Sequence, residues 1–328
     1  MIELKEAQRI LLAGVRLLPE EVISLSRSAG RILAADLLAP SSLPPFDNSA
    51  MDGFALRAQD TSQASQINPV KLKVLGRMPA GAGAGPTLQP QTCVRVFTGS
   101  LLPVGTTGVI MQEDASFDQE TSAITVTEIV RPWENLRLCG EDVKQGEPLL
   151  NMGERLNPQR MALAAAVGLH ELSVRKRPTI GVIATGNELA EAGTELPPGS
   201  IFESNRVAIG GALELAGAIA RIYPIVSDDL AATQEALRKA FDECDAVISS
   251  GGVSVGDHDY VKTAFEEIGG KLQFWKVAIK PGKPFVFGEF GDKQFFGLPG
   301  NPVSAFVTFF LLVSPVISKL QGAIDLLP

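Results

Sequence analysis

The sequence predicts an α/β protein built on a doubly wound, mostly parallel sheet. From residue 179 onward, apolar strand-like runs alternate with segments whose apolar residues recur at helical spacing. Those runs end in turns rich in Gly, Ser, Pro and acidic residues. Before them lie short β-like runs separated by Gly/Pro loops, the texture of a small β-domain. A chain of 328 residues suits about two domains, with room for a third.

Residues 4–12 form an amphipathic helix; Glu6 and Arg9 among its apolar residues are unlike a signal peptide. A strand is expected over 21–25 and a helix over 28–35, and the Pro-rich stretch from Ala39 to Pro45 closes this segment. Strands are then expected over 71–75, 93–97, 109–112 and 124–129. The Gly-Ala loop from Met78 to Pro86 reads as a mobile surface loop. By residue type alone, Asp52-Gly53 reads as a hairpin turn and Thr98-Gly99 as a loop. Asn157-Pro158 opens a helix through Val167, since Asn caps well and Pro suits the first turn. A basic linker, Arg175-Lys176-Arg177-Pro178, leads into the last region.

There, strands are expected over 179–184, 219–225, 245–249, 272–279, 285–288 and 295–298, with helices over 204–217, 230–242, 259–268 and 302–320. Ligands of such folds sit at the carboxyl ends of the strands. Those ends carry Thr185-Gly186-Asn187-Glu188, Ser227-Asp228-Asp229, Ser249 to Asp259, Lys280-Pro281-Gly282-Lys283-Pro284, and Pro299-Gly300-Asn301-Pro302-Val303-Ser304. Glycines let the backbone approach a ligand, and free N–H groups favour an anion. Carboxylates and lysines facing one crevice would suit a phosphorylated substrate carrying Mg²⁺. Asp257 or Asp259, and likewise Asp228 or Asp229, read equally well as helix caps. The two lysines read equally as solvated charges, although the flanking prolines stiffen their turn.

Composition excludes several classes. A formal net charge of −8 argues against broad nucleic-acid binding. Cys93, Cys139 and Cys244 are far apart and form no C-x-x-C pattern, which fits free thiols in a reducing compartment. With only two histidines, His170 and His258, a His-rich zinc site or a Ser-His-Asp triad has little material, so any metal should be hard and oxygen-bound. The apolar run 306–317 is interrupted by Pro315, is too short to span a bilayer, and reads as a core helix. The expectation is a cytoplasmic protein with neither membrane nor nucleic-acid partners.

Several segments then carry a resemblance. They are Pro45-Phe46-Asp47-Asn48-Ser49-Ala50-Met51-Asp52-Gly53-Phe54-Ala55, Phe97-Thr98-Gly99, Gly140-Glu141-Asp142, Thr185-Gly186-Asn187-Glu188-Leu189, Ser250-Gly251-Gly252-Val253-Ser254-Val255-Gly256, Lys280-Pro281-Gly282-Lys283-Pro284 and Leu298-Pro299-Gly300-Asn301-Pro302-Val303-Ser304. With them, nearly the whole chain resembles the molybdopterin molybdenumtransferases, the family of bacterial MoeA and the gephyrin E domain.

The resemblance implies insertion of molybdate into adenylylated molybdopterin with release of AMP, Mg²⁺ taking part. It also implies a homodimer whose site is shared between chains, and a possible contact with molybdopterin adenylyltransferase. The implied domains are an elongated N-terminal one (1–44 and 141–177), a small β-domain (45–140) and a molybdopterin-binding domain (178–328). Implied catalytic positions are Asp52, Thr98, Asp142, Glu188, Asp228 and Asp259, with Glu188, Asp228 and Asp259 at the metal. Implied ligand-binding positions are Ser250, Gly251, Gly252, Ser254, Lys280, Lys283, Pro299, Pro302 and Ser304. The family usually continues into a further small β-domain that supplies an arginine near the molybdate, and this sequence is expected to lack it. A molybdopterin adenylyltransferase, which resembles only residues 178–326, and a non-catalytic molybdopterin-binding scaffold are the alternatives.

Overall fold

In the computed structural model, residues 1–252 and 260–326 are described. The chain forms two compact units: Met1–Asp36, Leu150–Met161 and His170–Pro328 make the first, and Leu37–Leu149 with Ala162–Leu169 the second.

The first unit is α/β. Its six-stranded sheet runs Ile219–Ile222, Thr179–Ala184, Ala246–Ser250, Lys293–Leu298, Val286–Phe290, Lys271–Trp275. The first four strands pair in parallel. Val286–Phe290 is antiparallel to both neighbours, so Lys271–Trp275 again shares the direction of the parallel set. The strands are apolar on both faces because helices cover both. Ile180, Val182, Ala246, Ile248, Phe296 and Leu298 pack with residues of the helices Leu4–Ala13, Asn205–Leu215 and Pro302–Leu320. The alternate residues Ile183, Val247 and Phe295 pack with Leu237, Phe241 and Phe265 of Leu230–Glu243 and Tyr260–Glu267. Phe265 stacks on Phe295 with centroids 4.5 Å apart.

The helix Pro302–Leu320 contains a π turn, Phe309–Val313, just before Pro315. Proline has no N–H to give the carbonyl of Leu311. Gln8 Nε2, on Leu4–Ala13, donates to that carbonyl instead at 2.9 Å. At 19 residues and mean hydropathy 1.9, the whole helix, longer than the 306–317 run, is long and apolar enough to cross a membrane by length and composition alone. It is nonetheless mostly buried, in the core position expected.

Glu20–Ser24 pairs antiparallel with Glu171–Arg175. The helix expected over 28–35 does not form. A 3-10 turn at Leu25–Arg27 is followed by Gly30 at φ +74°, which ends any helix, and Ile32 and Leu33 instead form isolated bridges to Arg155 and Val174. Asn157 caps Pro158–Ala166, its Oδ1 accepting from the Arg160 N–H at 2.8 Å.

The second unit holds a six-stranded sheet ordered Gly108–Met111, Gly53–Leu56, Thr92–Val96, Val70–Met78, Ala123–Val126, Ala115–Asp118. Two expectations need correction. Asp52-Gly53 is no hairpin turn: Gly53 begins a strand bonded on both sides, and a Cβ there would lie 2.0 Å from the Ile110 carbonyl oxygen. Ala115–Asp118 is a largely exposed edge strand, too short and polar to have been read as one.

Candidate active site

Connectivity places the first unit's cleft. From Thr179–Ala184 the chain passes through Asn205–Leu215 to the strand on one side, then returns through Leu230–Glu243 to Ala246–Ser250 on the other. The carboxyl ends of Thr179–Ala184 and Ala246–Ser250 therefore flank a topological switch point, where a crevice opens. A cleft of about 280 Å³ lies there, its lining including Thr185, Glu188, Ser250, Gly251, Gly300 and Pro302.

Glycine is required at its floor. Gly251 has φ +84°, and a Cβ on it would sit 2.9 Å from the Thr185 carbonyl oxygen. Gly252 has φ +66°, and a Cβ there would meet Val261 Cγ2 at 2.3 Å and Thr185 Oγ1 at 2.8 Å. Gly251 N–H donates to the Leu298 carbonyl at 3.2 Å, and a Cβ on Gly300 would lie 3.7 Å from Gly251 Cα, so the Pro299–Pro302 turn packs on this floor. Thr185 Oγ1 is buried without a hydrogen-bond partner among the described residues. A buried hydroxyl left unpaired is uncommon and is the kind of group a ligand satisfies.

The acidic residues separate by role. Asp229 caps Leu230–Glu243, its Oδ1 accepting from Ala232 N–H at 2.8 Å. Asp228 is not the cap. Its Oδ2 accepts from Asn187 N–H at 3.1 Å, while its own N–H donates to Asn187 Oδ1 at 3.0 Å. Glu188 is exposed, and its carboxylate lies over Gly186, where a Cβ would come within 2.7 Å of Oε2. Ser250 is buried, its Oγ accepting from Asn205 Nδ2 at 2.8 Å; the same amide donates to the Gly300 carbonyl at 2.8 Å. Ser254 and Asp259 lie outside the described residues.

Lys280 and Lys283 are exposed, and neither side chain has a partner among the described residues. Their turn is anchored at Gly282: a Cβ there would meet Thr308 Cγ2 at 2.7 Å and the Ser304 carbonyl oxygen at 3.5 Å. This seats the lysine turn against the start of Pro302–Leu320. There Asn301 is the N-cap, its Oδ1 accepting from Ser304 N–H at 3.2 Å.

In the second unit, Asp52 and Thr98 meet. Asp52 Oδ1 accepts from both the N–H and Oγ1 of Thr98 at 2.8 Å. These bonds, foremost the backbone one, hold the Asp52 carboxyl below its ordinary range. Asp142 is engaged by Arg137, whose Nε also donates to Glu141 Oε1 at 2.7 Å and lowers that carboxyl. Arg137 lies opposite Asn48 where Asn48–Ser49 pairs with Leu136–Arg137. Asp47 Oδ1 accepts from Cys139 N–H at 2.7 Å. These bonds gather the 45–55, 97–99 and 137–142 segments, but no hydrogen bond joins Asp52 to Asp142 among the described residues.

Glu188 and Asp228 offer only oxygen donors, which suits a hard cation such as Mg²⁺. Among the described residues, no three His, Cys, Asp or Glu side chains converge as a metal group. Asn187, Asn205 and Arg137 escaped the sequence reading. Asn205 carried one available signal, a polar residue entering a buried helix immediately after Glu203-Ser204.

A switch-point cleft with a glycine floor, and a lysine turn without side-chain partners among the described residues on the same strand-end edge, is an arrangement suited to an anionic ligand. Comparison sharpens this reading. Residues 2–168 match the family described as MoeA N-terminal region (domain I and II), and residues 181–319 match that described as a probable molybdopterin binding domain. The chain is 41% identical over 302 residues to the molybdopterin molybdenumtransferase of Haemophilus influenzae, covering 92% of this chain and 73% of that protein. It is 39% identical to molybdopterin molybdenumtransferase 2 of Mycobacterium tuberculosis, covering 99% and 81% respectively. A crystal structure of a molybdopterin biosynthesis MoeA protein from Pyrococcus horikoshii OT3 superposes with a TM-score of 0.85 at 34% identity, over 99% of this chain and 81% of that one. The chain belongs to the molybdopterin molybdenumtransferase family, transferases of molybdenum cofactor biosynthesis.

Proposed function

We propose that this chain inserts molybdenum into molybdopterin, taking adenylylated molybdopterin and molybdate and releasing AMP with Mg²⁺. One observation carries the reading: two lysines that have no side-chain partner among the described residues, seated beside Ser304 on the same sheet edge as a glycine-floored cleft whose buried Thr185 hydroxyl is likewise without a partner among those residues. Lys280, Lys283 and Ser304 would hold the molybdate dianion by charge-assisted hydrogen bonds. The Gly251–Gly252 backbone and Thr185 Oγ1 would hold the nucleotide, and the Pro299–Pro302 turn would shape the wall between the two ligands. Ser254 and Asp259 retain their implied roles, as ligand-binding and metal-binding residues.

Glu188, Asp228 and Asp259 would hold Mg²⁺, which when bound would neutralise phosphate charge. Asn187 orients Asp228 for that task through their paired hydrogen bonds. Asp52, Thr98 and Asp142 would complete the site of a second copy, making the working form a homodimer, and substrate would pass from a molybdopterin adenylyltransferase in the cytoplasm. The implied division at 1–44 with 141–177, 45–140 and 178–328 stands as the proposed domain scheme. The decisive experiment incubates the purified chain with adenylylated molybdopterin and Mg²⁺ and follows AMP, with and without molybdate. AMP release stimulated by molybdate is expected. Release indifferent to molybdate, or none, would overturn the reading.

A further inference from the structure

The segment after Glu188 folds over one side of the cleft as a flap. Leu189–Ala190 pairs in parallel with Ile201–Phe202. Ile201 N–H donates to the Glu188 carbonyl at 2.8 Å and Glu203 N–H to the Ala190 carbonyl at 2.9 Å. Leu189, Ile201 and Phe202 all line the cleft. Ile201 is 57% and Phe202 45% exposed, although they are adjacent, large and apolar. The lining also includes polar side chains and bare backbone: Thr185, Ser250, Gly251, Gly300.

The flap is clamped from beneath. Arg206, 4% exposed, donates Nε to Glu203 Oε2 at 2.9 Å and Nη2 to both Glu191 carboxylate oxygens at 2.8 Å. Its Nη1 donates to the Tyr223 carbonyl. Glu191 and Glu203 each follow the last residue of one strand of this parallel pair, so one buried cation ties the two strands together at the same end. A buried charge this fully paired is costly to disturb, which makes the flap a preorganised surface.

We propose that Leu189, Ile201 and Phe202 form a ring-binding wall that receives a planar fused heteroaromatic ring of the substrate, and that Arg206 is the positioning residue for it. The proposal rests on the reading of the cleft given above. An apolar wall with a few polar groups is the usual build of a pocket that takes a flat ring with a charged tail. Two parts of the proposed substrate have that chemistry, a purine and a pterin, and the test separates them.

Calorimetric titrations compare the wild type with the double variant Ile201→Ser/Phe202→Ser, using AMP, neopterin and ribose 5-phosphate as probes. The variant is expected to weaken one ring-bearing probe about tenfold or more, the order expected for base stacking, and to leave ribose 5-phosphate unchanged. A loss with AMP assigns the purine, and a loss with neopterin the pterin. Unchanged affinity for both ring probes, or an equal loss that includes ribose 5-phosphate, overturns the wall while leaving the cleft reading intact. A wild-type chain that binds none of the probes overturns both.

Arg206→Met and Glu191→Gln test the clamp by hydrogen exchange, the second keeping the test usable should the first fail to fold. Faster exchange at the Ile201 and Glu203 amides, with Ala246–Ser250 unchanged, is expected together with the ring-specific loss. Arg206→Lys should restore part of both. Exchange that rises uniformly across the unit would overturn the positioning role.

Discussion

Polar residues singled out in the two units stand in different states. In the first, Lys280 and Lys283 have no partners among the described residues and Thr185 Oγ1 is unpaired. In the second, Asp52 is bonded to Thr98, and Asp142 and Glu141 to Arg137. The glycines beside these groups differ too. Gly251 and Gly252 are walled by neighbouring atoms, whereas Gly99, at φ +80°, has nothing within 4 Å of where a Cβ would stand. Unsatisfied groups on a tight backbone floor are built to bind, while satisfied groups on an open turn hold their own segments in shape. The difference lies in desolvation: a ligand can reach the lysines and Thr185 Oγ1 without breaking a bond to a described residue, whereas at Asp52 and Asp142 it would first have to displace one.

Glycine substitution should separate the units most sharply. Gly252→Val brings a Cβ within 2.3 Å of Val261 Cγ2 at a left-handed backbone position. It is expected to abolish measurable AMP binding and to cost about 1–3 kcal/mol of stability from backbone strain, with the clash adding to that. Gly99→Ala meets open space and should cost only about 1 kcal/mol, with AMP binding kept. Thermal melts and AMP titrations of the two variants check this; similar AMP losses in both would erase the distinction.

Next in size are the lysines. Lys280→Ala and Lys283→Ala should each weaken molybdate by about 1.5–3 kcal/mol, the scale of a hydrogen bond to a charged group, and change AMP much less. Separate titrations of molybdate and AMP read this, and equal losses would show that the lysines act through general charge. Because Glu188 is exposed, Glu188→Gln should leave the melting temperature unchanged while removing the Mg²⁺ dependence of AMP release. Persisting Mg²⁺ dependence would remove Glu188 from the metal set.

A smaller effect is expected from acid. The folded-state carboxyls of Asp52 and Glu141 are lowered, by Thr98 and Arg137 respectively. Their contribution is therefore full above the ordinary carboxylate pKa of about 4 and is lost as pH falls through the lowered folded values. Melts from about pH 5 to pH 2 should show Asp52→Asn losing less stability over that range than the wild type. The smallest expected effect concerns Cys139, the exposed thiol beside Asp47. Burial pushes Cys93 up to about 12 and raises Cys244 as well. A thiol reagent at neutral pH should label Cys139 alone and leave AMP binding unchanged.

Much of the cleft was legible in advance. The alternation after residue 179 announced parallel strands, and their turn residues pointed to one edge that the strand order then assembled. The lysine turn reached that edge because Val286–Phe290 reverses direction, returning Lys271–Trp275 to the parallel sense. The second unit was harder to read. Gly53–Leu56 is a central strand of four residues, too brief to declare a period, and its leading Asp-Gly imitates a hairpin. The 28–35 stretch failed for a related reason, since its apolar Ile32-Leu33 fits a helix face or a pair of bridges equally well and Gly30 decided the matter.

The sequence by itself determined the class of fold, the glycine-rich floor and the chemistry available at the strand ends, because periodicity, turn conformation and side-chain charge are properties of neighbouring residues. The tertiary structure decided what local signals left open among the described residues, Asp257 and Asp259 lying outside them. It made Asp229 the cap and left Asp228 to Asn187, buried Asn205 against Ser250 and Gly300, and brought Gln8 to the carbonyl that Pro315 leaves unpaired. Each of these outcomes depends on hydrogen-bond partners far apart in the chain. Local propensity carries no information about such partners, and only the order of strands in the sheet and the packing of helices upon it supply them.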